Sequence, residues 1–506
     1  MKNKILCFCL LTALVLLFSG CGGDDKDKEP EVPPQLLPEY PVINDEVTHE
    51  FHKWAMTPPM GWNSWDCYGP NVTEDQVKVN ARFIANNLLK HGWEYIVVDI
   101  RWFVENQTTG YYIGSQYNPG TPVYVLDEWG RYIPSPTRFP SSVGGAGFKP
   151  LADSIHELGL KFGIHIMRGI PVKAVQDKMT VKGASGITAD QIYSTQQQCS
   201  WLNDNWTIDA AKDGAQEYYD SIFELYASWG VDYIKIDDIS RPYHSAEIEL
   251  IRKSIDKTGR PIVLSLSPGE TPIGQAAHVK NHANLWRTID DFWDRWGDVG
   301  LLLDKSGQWS QHIGYGHWPD GDMIPLGVLN MTGHNNATVP RLSRLTRDEH
   351  YTVMTLLIIM RSPLMFGGDF SYRGEKFDLD YHNFVLSFLT NREAIYISKG
   401  SINNRQVYNK DGEIAWIADD KFSNDKFLAI LYPGTARPGQ GSLGNPYEPT
   451  KKSISVNLAE LGVNGNVKIR DIWQKKDIGT FSDSADVFAP LIDFHGASLF
   501  RLSPME

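Results

Sequence analysis

The chain contains 506 residues, 42% of them hydrophobic, and its formal net charge is −13 at pH 7. A chain of this length can bury more than one hydrophobic core. The negative charge, without a basic patch, argues against a nucleic-acid partner, because phosphate binding needs clustered Lys and Arg side chains.

The N-terminus has the layout of a secretory signal followed by a lipid anchor. Lys2 and Lys4 precede an apolar stretch, Ile5–Phe18, that is too short to span a bilayer as a helix. The ending LFSGC resembles a bacterial lipoprotein box, which implies removal of residues 1–20 and lipidation of Cys21. The acidic run that follows is similar to the export tether of Bacteroides-type lipoproteins. We therefore expect a lipid-anchored protein of the bacterial cell envelope, with a plain signal peptide as the alternative.

Residues 21–54 are rich in Asp, Glu, Lys and Pro, which predicts a flexible tether. Residues 55–393 repeat one unit, which consists of an amphipathic helix, a glycine that ends it and a buried apolar strand. The first such helix starts with a capping box formed by Thr73 and Gln76, and the strand Tyr95–Asp99 follows it. This repeat predicts parallel strands joined by crossover helices.

About eight such units suit an α/β fold of the (β/α)8 barrel type, in which the active site lies at the C-terminal ends of the strands. A doubly wound open sheet is the alternative, but no dinucleotide-binding glycine motif follows any predicted strand. Insertions at 104–145 and 168–213 are expected to cover the barrel mouth. Residues 394–506 change to short alternating strands, which predict a C-terminal antiparallel β-sandwich.

Polar side chains collect at the ends of the predicted barrel strands. The strand YIKID ends in Asp237 and continues to Asp238, although a buried charge is costly unless it is paired. A structural lysine–aspartate pair is the simplest explanation for this strand alone, but acids end several strands. The strand-end residues include Asn63, Ser64, Trp65, Asp66, Asp99, Arg101, His165, Arg168, Lys235, Asp237, Asp238, Ser265, Ser267, Arg287, Asp290, Asp291, Asp320 and Asp322.

Two facing carboxylates are the core of glycoside hydrolysis. Lys235 lies two residues before Asp237 and shares its face of the strand, and a nearby cation favours the ionised carboxylate. Asp237 is therefore the candidate nucleophile. Either Asp290 or Asp291 suits the role of general acid on this argument. No metal site or cofactor is predicted, apart from a calcium site at Asp320 and Asp322 as a minor alternative.

The motifs TPPMGWNSWDCYG, EYIVVD, DYIKIDD, WRTIDD, GHWPDGDM and RSPLMFGGD occur in the order seen in glycoside hydrolase family 27 of clan D. This family contains retaining α-galactosidases and α-N-acetylgalactosaminidases, and the resemblance covers residues 55–500. It implies that Asp237 is the nucleophile and Asp291 the acid/base. The residues that it implies in sugar binding are Trp65, Asp99, Lys235 and Arg287, with His165 where members often carry a tyrosine.

The resemblance implies an exo-acting enzyme that removes terminal α-D-galactosyl residues from a glycan. α-N-acetylgalactosaminidase and β-L-arabinopyranosidase activities are the alternatives, and a non-catalytic glycan-binding lipoprotein is the alternative from another class. L-arabinopyranose shares the ring stereochemistry of galactose but lacks its exocyclic carbon.

Three positions depart from the family pattern. Members commonly have two adjacent aspartates after the second strand, but here Ile100 follows Asp99. Arg101 replaces a family cysteine, so a disulfide between Cys67 and Cys199 is a candidate substitute, with two free thiols as the alternative. Ser267, expected at the 2-position of the sugar, is typical of the N-acetylgalactosaminidases, but these place a small residue three positions on, where this chain has Glu270. The substituent at the 2-position of the sugar therefore stays open.

Overall fold

The computed structural model describes residues 40–333, 340–435, 450–482 and 487–505. The predicted signal segment, Cys21 and most of the tether lie outside these ranges. Within the ranges, no helix has the length and apolar character needed to cross a membrane.

Eight parallel strands of the described chain form the N-terminal sheet. They are β1 (Met60–Asn63), β2 (Tyr95–Val98), β3 (Lys161–Met167), β4 (Tyr233–Asp237), β5 (Val263–Leu266), β6 (Leu285–Arg287), β7 (Trp318–Asp320) and β8 (Leu364–Phe366). Each strand from β1 to β6 is hydrogen-bonded to the next one in the sequence, and β8 pairs with β1. Ile324, just past β7, closes the sheet by a parallel bridge to Phe366, and its N–H donates to the carbonyl of Met365 at 2.7 Å. The predicted barrel is confirmed.

Crossover helices surround these strands, and further helices flank the site and the C-terminal sheet. The α-helices are α1 (Trp65–Tyr68), α2 (Glu74–Asn87), α3 (Lys149–His156), α4 (Val172–Gln176), α5 (Ala215–Ser228), α6 (Ser245–Thr258), α7 (Ala276–His282), α8 (Trp296–Trp309), α9 (Arg347–Ile359), α10 (Leu379–Leu389) and α11 (Arg392–Gly400). The predicted capping box begins α2, since Thr73 N–H donates to Gln76 Oε1 at 2.9 Å and Thr73 Oγ1 accepts from Gln76 N–H. Gly259 ends α6 with a φ of 68°, in the left-handed region that favours glycine.

The C-terminal part is the predicted antiparallel sandwich. Its strands are β9 (Ser401–Lys410), β10 (Glu413–Asp420), β11 (Lys426–Leu431), β12 (Lys451–Ser453), β13 (Asn466–Asp471), β14 (Lys476–Ser482), β15 (Leu491–Asp493) and β16 (Ala497–Pro504). Alternate residues of the large sheet enter two cores. Trp416 and Ala429 pack into the core shared with the barrel helices, whereas Ile417 and Leu428 pack into the core of the sandwich. The predicted boundary at residue 394 falls within α11 and stays a prediction.

A buried ion pair joins both insertions to the end of β2. Arg101 and Asp204 are 1% and 0% exposed, and two guanidinium nitrogens of Arg101 each donate to a carboxylate oxygen of Asp204 at 2.9 Å. Tyr124, in the first insertion, donates its hydroxyl to Asp204 Oδ1 at 2.5 Å. Bidentate pairing of this kind fixes orientation as well as distance. The second insertion, which carries Asp204, is thereby held against the barrel.

The candidate disulfide between Cys67 and Cys199 is wrong, because both residues are free thiols. Cys67 is buried, and its thiol donates to the Ser64 carbonyl at 3.5 Å. Cys199 packs instead in a small apolar cluster that includes Ile100. Arg101, which stands where the family has a cysteine, supplies an ionic link in place of the covalent one.

We predict that Arg101→Leu lowers the free energy of unfolding by about 3–5 kcal/mol, because it leaves the Asp204 carboxylate buried without its partner. The control is Lys149→Leu, which removes an exposed helical pair with Asp153 and should change stability by about 0–1 kcal/mol. Urea and thermal unfolding measure both. Equal effects of the two substitutions would contradict the proposed link.

Candidate active site

A cavity of about 360 Å³ opens at the C-terminal ends of the barrel strands. It brings together every residue that the sequence predicted for catalysis or sugar binding, which are Trp65, Asp99, His165, Lys235, Asp237, Ser267, Arg287 and Asp291. Sequence reasoning missed Tyr112 and Trp201, which line the same cavity from the two insertions. Their aromatic character was the available signal, but their positions depend on long-range packing.

Asp237, the last residue of β4, has both carboxylate oxygens engaged. Oδ1 accepts the backbone N–H of Asp238 at 2.6 Å, and Oδ2 lies 2.8 Å from His165 Nε2. The other ring nitrogen of His165, Nδ1, lies 2.7 Å from Asp99 Oδ1. A buried line of groups therefore runs from Asp99 through His165 to Asp237.

The charges in this line stabilise one another. Burial alone would raise the pKa of Asp99, but the neighbouring His165 and Lys235 outweigh it and hold that pKa well below its usual range. Burial alone would lower the pKa of His165, but Asp99 and Asp237 raise it. Lys235 Nζ lies 3.6 Å from Asp99 Oδ2, so its ion pair is with Asp99, whereas the nitrogen beside Asp237 Oδ2 is His165 Nε2, at 2.8 Å. The shared strand face of Lys235 and Asp237 was predicted, but this pairing was not.

Arg287, at the end of β6, organises the opposite side of the cavity. Its Nη2 lies 2.7 Å from Asp322 Oδ2 and 3.6 Å from Asp291 Oδ1, and its Nη1 donates to Ser267 Oγ at 3.3 Å. Asp322 Oδ2 also accepts the backbone N–H of Phe292 at 2.8 Å. Asp322 therefore holds Arg287 in place, and its carboxylate is already paired instead of free for a calcium ion.

Asp290 and Asp291, which the residues alone left undistinguished, have different surroundings. Asp290 Oδ2 accepts from Arg241 Nη1 at 2.7 Å, and both side chains are largely exposed at the rim. Surrounding protein atoms raise the pKa of Asp291 to about 6, with Asp322 and Asp237 adding to the shift and Arg287 opposing it. The Asp291 side chain is still 57% exposed, because it faces the open cavity. A sugar that fills the cavity would shield the Asp291 carboxyl from solvent and favour its protonated form further.

Aromatic rings form one wall of the cavity. Trp65 stacks on Tyr112 with ring centroids 5.7 Å apart, and Tyr112 lies 6.1 Å from Trp201. Trp201 is 43% exposed at the rim. Flat apolar faces of this kind suit the carbon–hydrogen faces of sugar rings.

Ile100 introduces an apolar patch beside the charged groups. It lines the cavity, is 1% exposed, and packs with Met167 and Leu202. An isoleucine offers no hydrogen bond to a sugar hydroxyl, whereas a carboxylate at this position would accept one.

Comparison with known proteins identifies this arrangement. Residues 205–376 match the family described as "Alpha galactosidase A", and residues 442–502 match "Alpha galactosidase C-terminal beta sandwich domain". The chain is 42% identical to the family 27 β-L-arabinopyranosidase of Geobacillus stearothermophilus, solved in complex with arabinose; the match covers 91% of this chain and 100% of that one, with a TM-score of 0.81. The chain belongs to glycoside hydrolase family 27.

This family 27 glycoside hydrolase is also similar to enzymes with other named activities. An α-galactosidase of Oryza sativa subsp. japonica is 24% identical over 88% of this chain and 85% of its own length. An α-N-acetylgalactosaminidase of Rattus norvegicus is 30% identical over 62% of this chain and 63% of its own length.

Proposed function

We propose that this enzyme is a retaining exo-glycosidase with Asp237 as nucleophile and Asp291 as acid/base. The observation that carries the proposal is the contrast between the two carboxyl groups. Asp237 accepts a backbone N–H and lies beside His165, contacts that fix the position of its carboxylate at the end of β4. Asp291 has a pKa raised to about 6, which keeps a proton available for the leaving group.

The two groups then divide the reaction between them. Asp291 donates its proton to the glycosidic oxygen while the Asp237 carboxylate attacks the anomeric carbon, which gives a glycosyl ester and releases the aglycone. In the second step the Asp291 carboxylate takes a proton from water. That water attacks the anomeric carbon, and the C–O bond to Asp237 breaks.

We propose that the preferred terminal sugar is β-L-arabinopyranose. Ile100 supports this choice, because a buried sugar hydroxyl without a partner costs about 1–3 kcal/mol, and L-arabinopyranose lacks the hydroxymethyl group of galactose. The 42% identity to the Geobacillus stearothermophilus β-L-arabinopyranosidase supports it as well.

α-D-Galactose, the sugar predicted first from the sequence, is the second candidate because it has the same ring configuration. Ser267, the feature that favoured N-acetylgalactosamine, accepts a hydrogen bond from Arg287. Glu270, the other unusual residue of that segment, forms an ion pair with Lys305 at 2.5 Å. These contacts give no specific support to an N-acetyl group.

We further propose that the enzyme is attached to the cell envelope through a lipid on Cys21. The lipoprotein-like ending LFSGC supports this proposal. Cys21→Ala should move the protein from the membrane fraction to the soluble fraction, measured by immunoblotting of fractionated cells. A variant that stays with the membrane would contradict the anchor.

We predict that Asp291→Ala lowers kcat/KM by about 10²–10⁴-fold for alkyl glycosides, which need proton donation, and much less for activated aryl glycosides. The wild-type rate on alkyl glycosides should also fall as pH rises through about 6, where Asp291 loses its proton. The residual rate of the Asp291→Ala variant should not show this fall with pH. Asp290→Ala is the matched control and should stay close to wild type. If both variants lose activity equally on all substrates, the assignment fails.

We predict that Ile100→Asp raises the ratio of α-D-galactoside to β-L-arabinopyranoside kcat/KM by about 10–100-fold, because a hydrogen bond to a charged acceptor contributes about 1.5–3 kcal/mol. Steady-state kinetics on the two nitrophenyl glycosides measure the ratio. Ile100→Val keeps the apolar contact and serves as the control. An unchanged ratio in Ile100→Asp, or a wild-type preference for galactoside, would contradict the sugar assignment.

A further inference from the structure

Three side chains with metal-binding atoms meet between α6 and α7, on the outside of the barrel. Glu249 comes from α6, and His278 and His282 come from α7. One ligand atom of each residue lies within 4.8 Å of the other two. Apart from the calcium alternative at Asp320 and Asp322, the sequence predicted no metal site.

The helix geometry explains why the three groups meet. Residues four apart lie on one face of a helix, and the rings of His278 and His282 stack with centroids 4.1 Å apart. Glu249 faces this pair from the neighbouring helix, with its Oε1 at 3.4 Å from His278 Nε2. All three side chains are partly buried, which limits their freedom before any ligand binds.

Both histidine rings are held by a hydrogen bond at Nδ1, the ring nitrogen that does not face the cluster. His282 Nδ1 lies 2.8 Å from the carbonyl oxygen of His278, so this nitrogen carries the proton and leaves the lone pair on Nε2. His278 Nδ1 lies 2.6 Å from the hydroxyl of Tyr243. Histidines that bind metals usually use their second nitrogen in this way.

We propose that this cluster is a binding site for one Zn²⁺ ion or a similar borderline divalent cation. The ligands are Nε2 of His278, Nε2 of His282 and a carboxylate oxygen of Glu249, and water completes a tetrahedral set. Two imidazoles and one carboxylate favour zinc, nickel or copper over calcium and magnesium, which prefer oxygen ligands. The simpler alternative is a hydrogen-bonded chain from Tyr243 through His278 to Glu249 that needs no metal.

The site is separate from the catalytic cavity, because none of its three ligands is among the residues that line that cavity. Bound zinc would join α6 to α7 and stabilise the folded barrel by mass action. We therefore expect an effect on thermal stability and little effect on turnover.

Isothermal titration of the chelator-treated, untagged protein with zinc chloride tests the proposal. We expect one site with micromolar or tighter affinity, a rise in the thermal unfolding midpoint, and no binding of calcium. His282→Ala and Glu249→Gln should each lose the micromolar site. Tyr243→Phe should weaken it by about 10–100-fold, as loss of an outer hydrogen-bond partner does at other metal sites.

His156→Ala is the matched control, because His156 also ends a helix and contacts a carboxylate, that of Asp232 at 2.7 Å. It should bind zinc as the wild type does. Millimolar affinity, or binding unchanged in both His282→Ala and Glu249→Gln, would overturn the proposal. Binding that disappears in Asp237→Asn and persists in His282→Ala would place the zinc in the catalytic cavity and would also overturn it.

Discussion

The buried charges at the ends of the barrel strands must neutralise one another, and the active site depends on how they do so. Asp99 lies between two cationic groups, with His165 at 2.7 Å and Lys235 at 3.6 Å. A buried carboxylate is costly alone but is stable in this position. His165 also lies 2.8 Å from Asp237 Oδ2, so the position of the candidate nucleophile is linked to the neighbouring strand β3. On the opposite wall the charges are reversed, and the Arg287 guanidinium lies beside the carboxylates of Asp322 and Asp291.

The barrel register makes these pairings possible. In the parallel ladder between β3 and β4, His165 is paired with Lys235 and Met167 with Asp237. Because side chains alternate along a strand, Lys235 and Asp237 reach the cavity while Ile236 enters the outer core. The alternating pattern therefore places one face of each strand against the helices and the charged face toward the cavity.

The strands and the strand-end residues could be predicted from the sequence because each is a local pattern, a buried run followed by a polar residue. The residues of the insertions could not. Tyr112 and Trp201 reach the cavity only because long loops fold back over the barrel, and Arg101 holds one of these loops through Asp204. Sequence spacing could not decide between a Cys67–Cys199 disulfide and two free thiols, because it contains no information about which distant groups meet. The pairing of Lys235 with Asp99 could not be predicted either, because it depends on the register between neighbouring strands.

The central claim is that the carboxylate of Asp237 forms a covalent bond with the sugar. An activated glycosyl fluoride, with a further fluorine on the ring to slow hydrolysis of the intermediate, should trap this species for mass spectrometry of the digested enzyme. The account predicts a glycosyl label on the peptide that contains Asp237, with fragmentation assigning it to that residue and no label in Asp237→Asn. A label on Asp238 or Asp291, or a sugar product of inverted configuration, would contradict it.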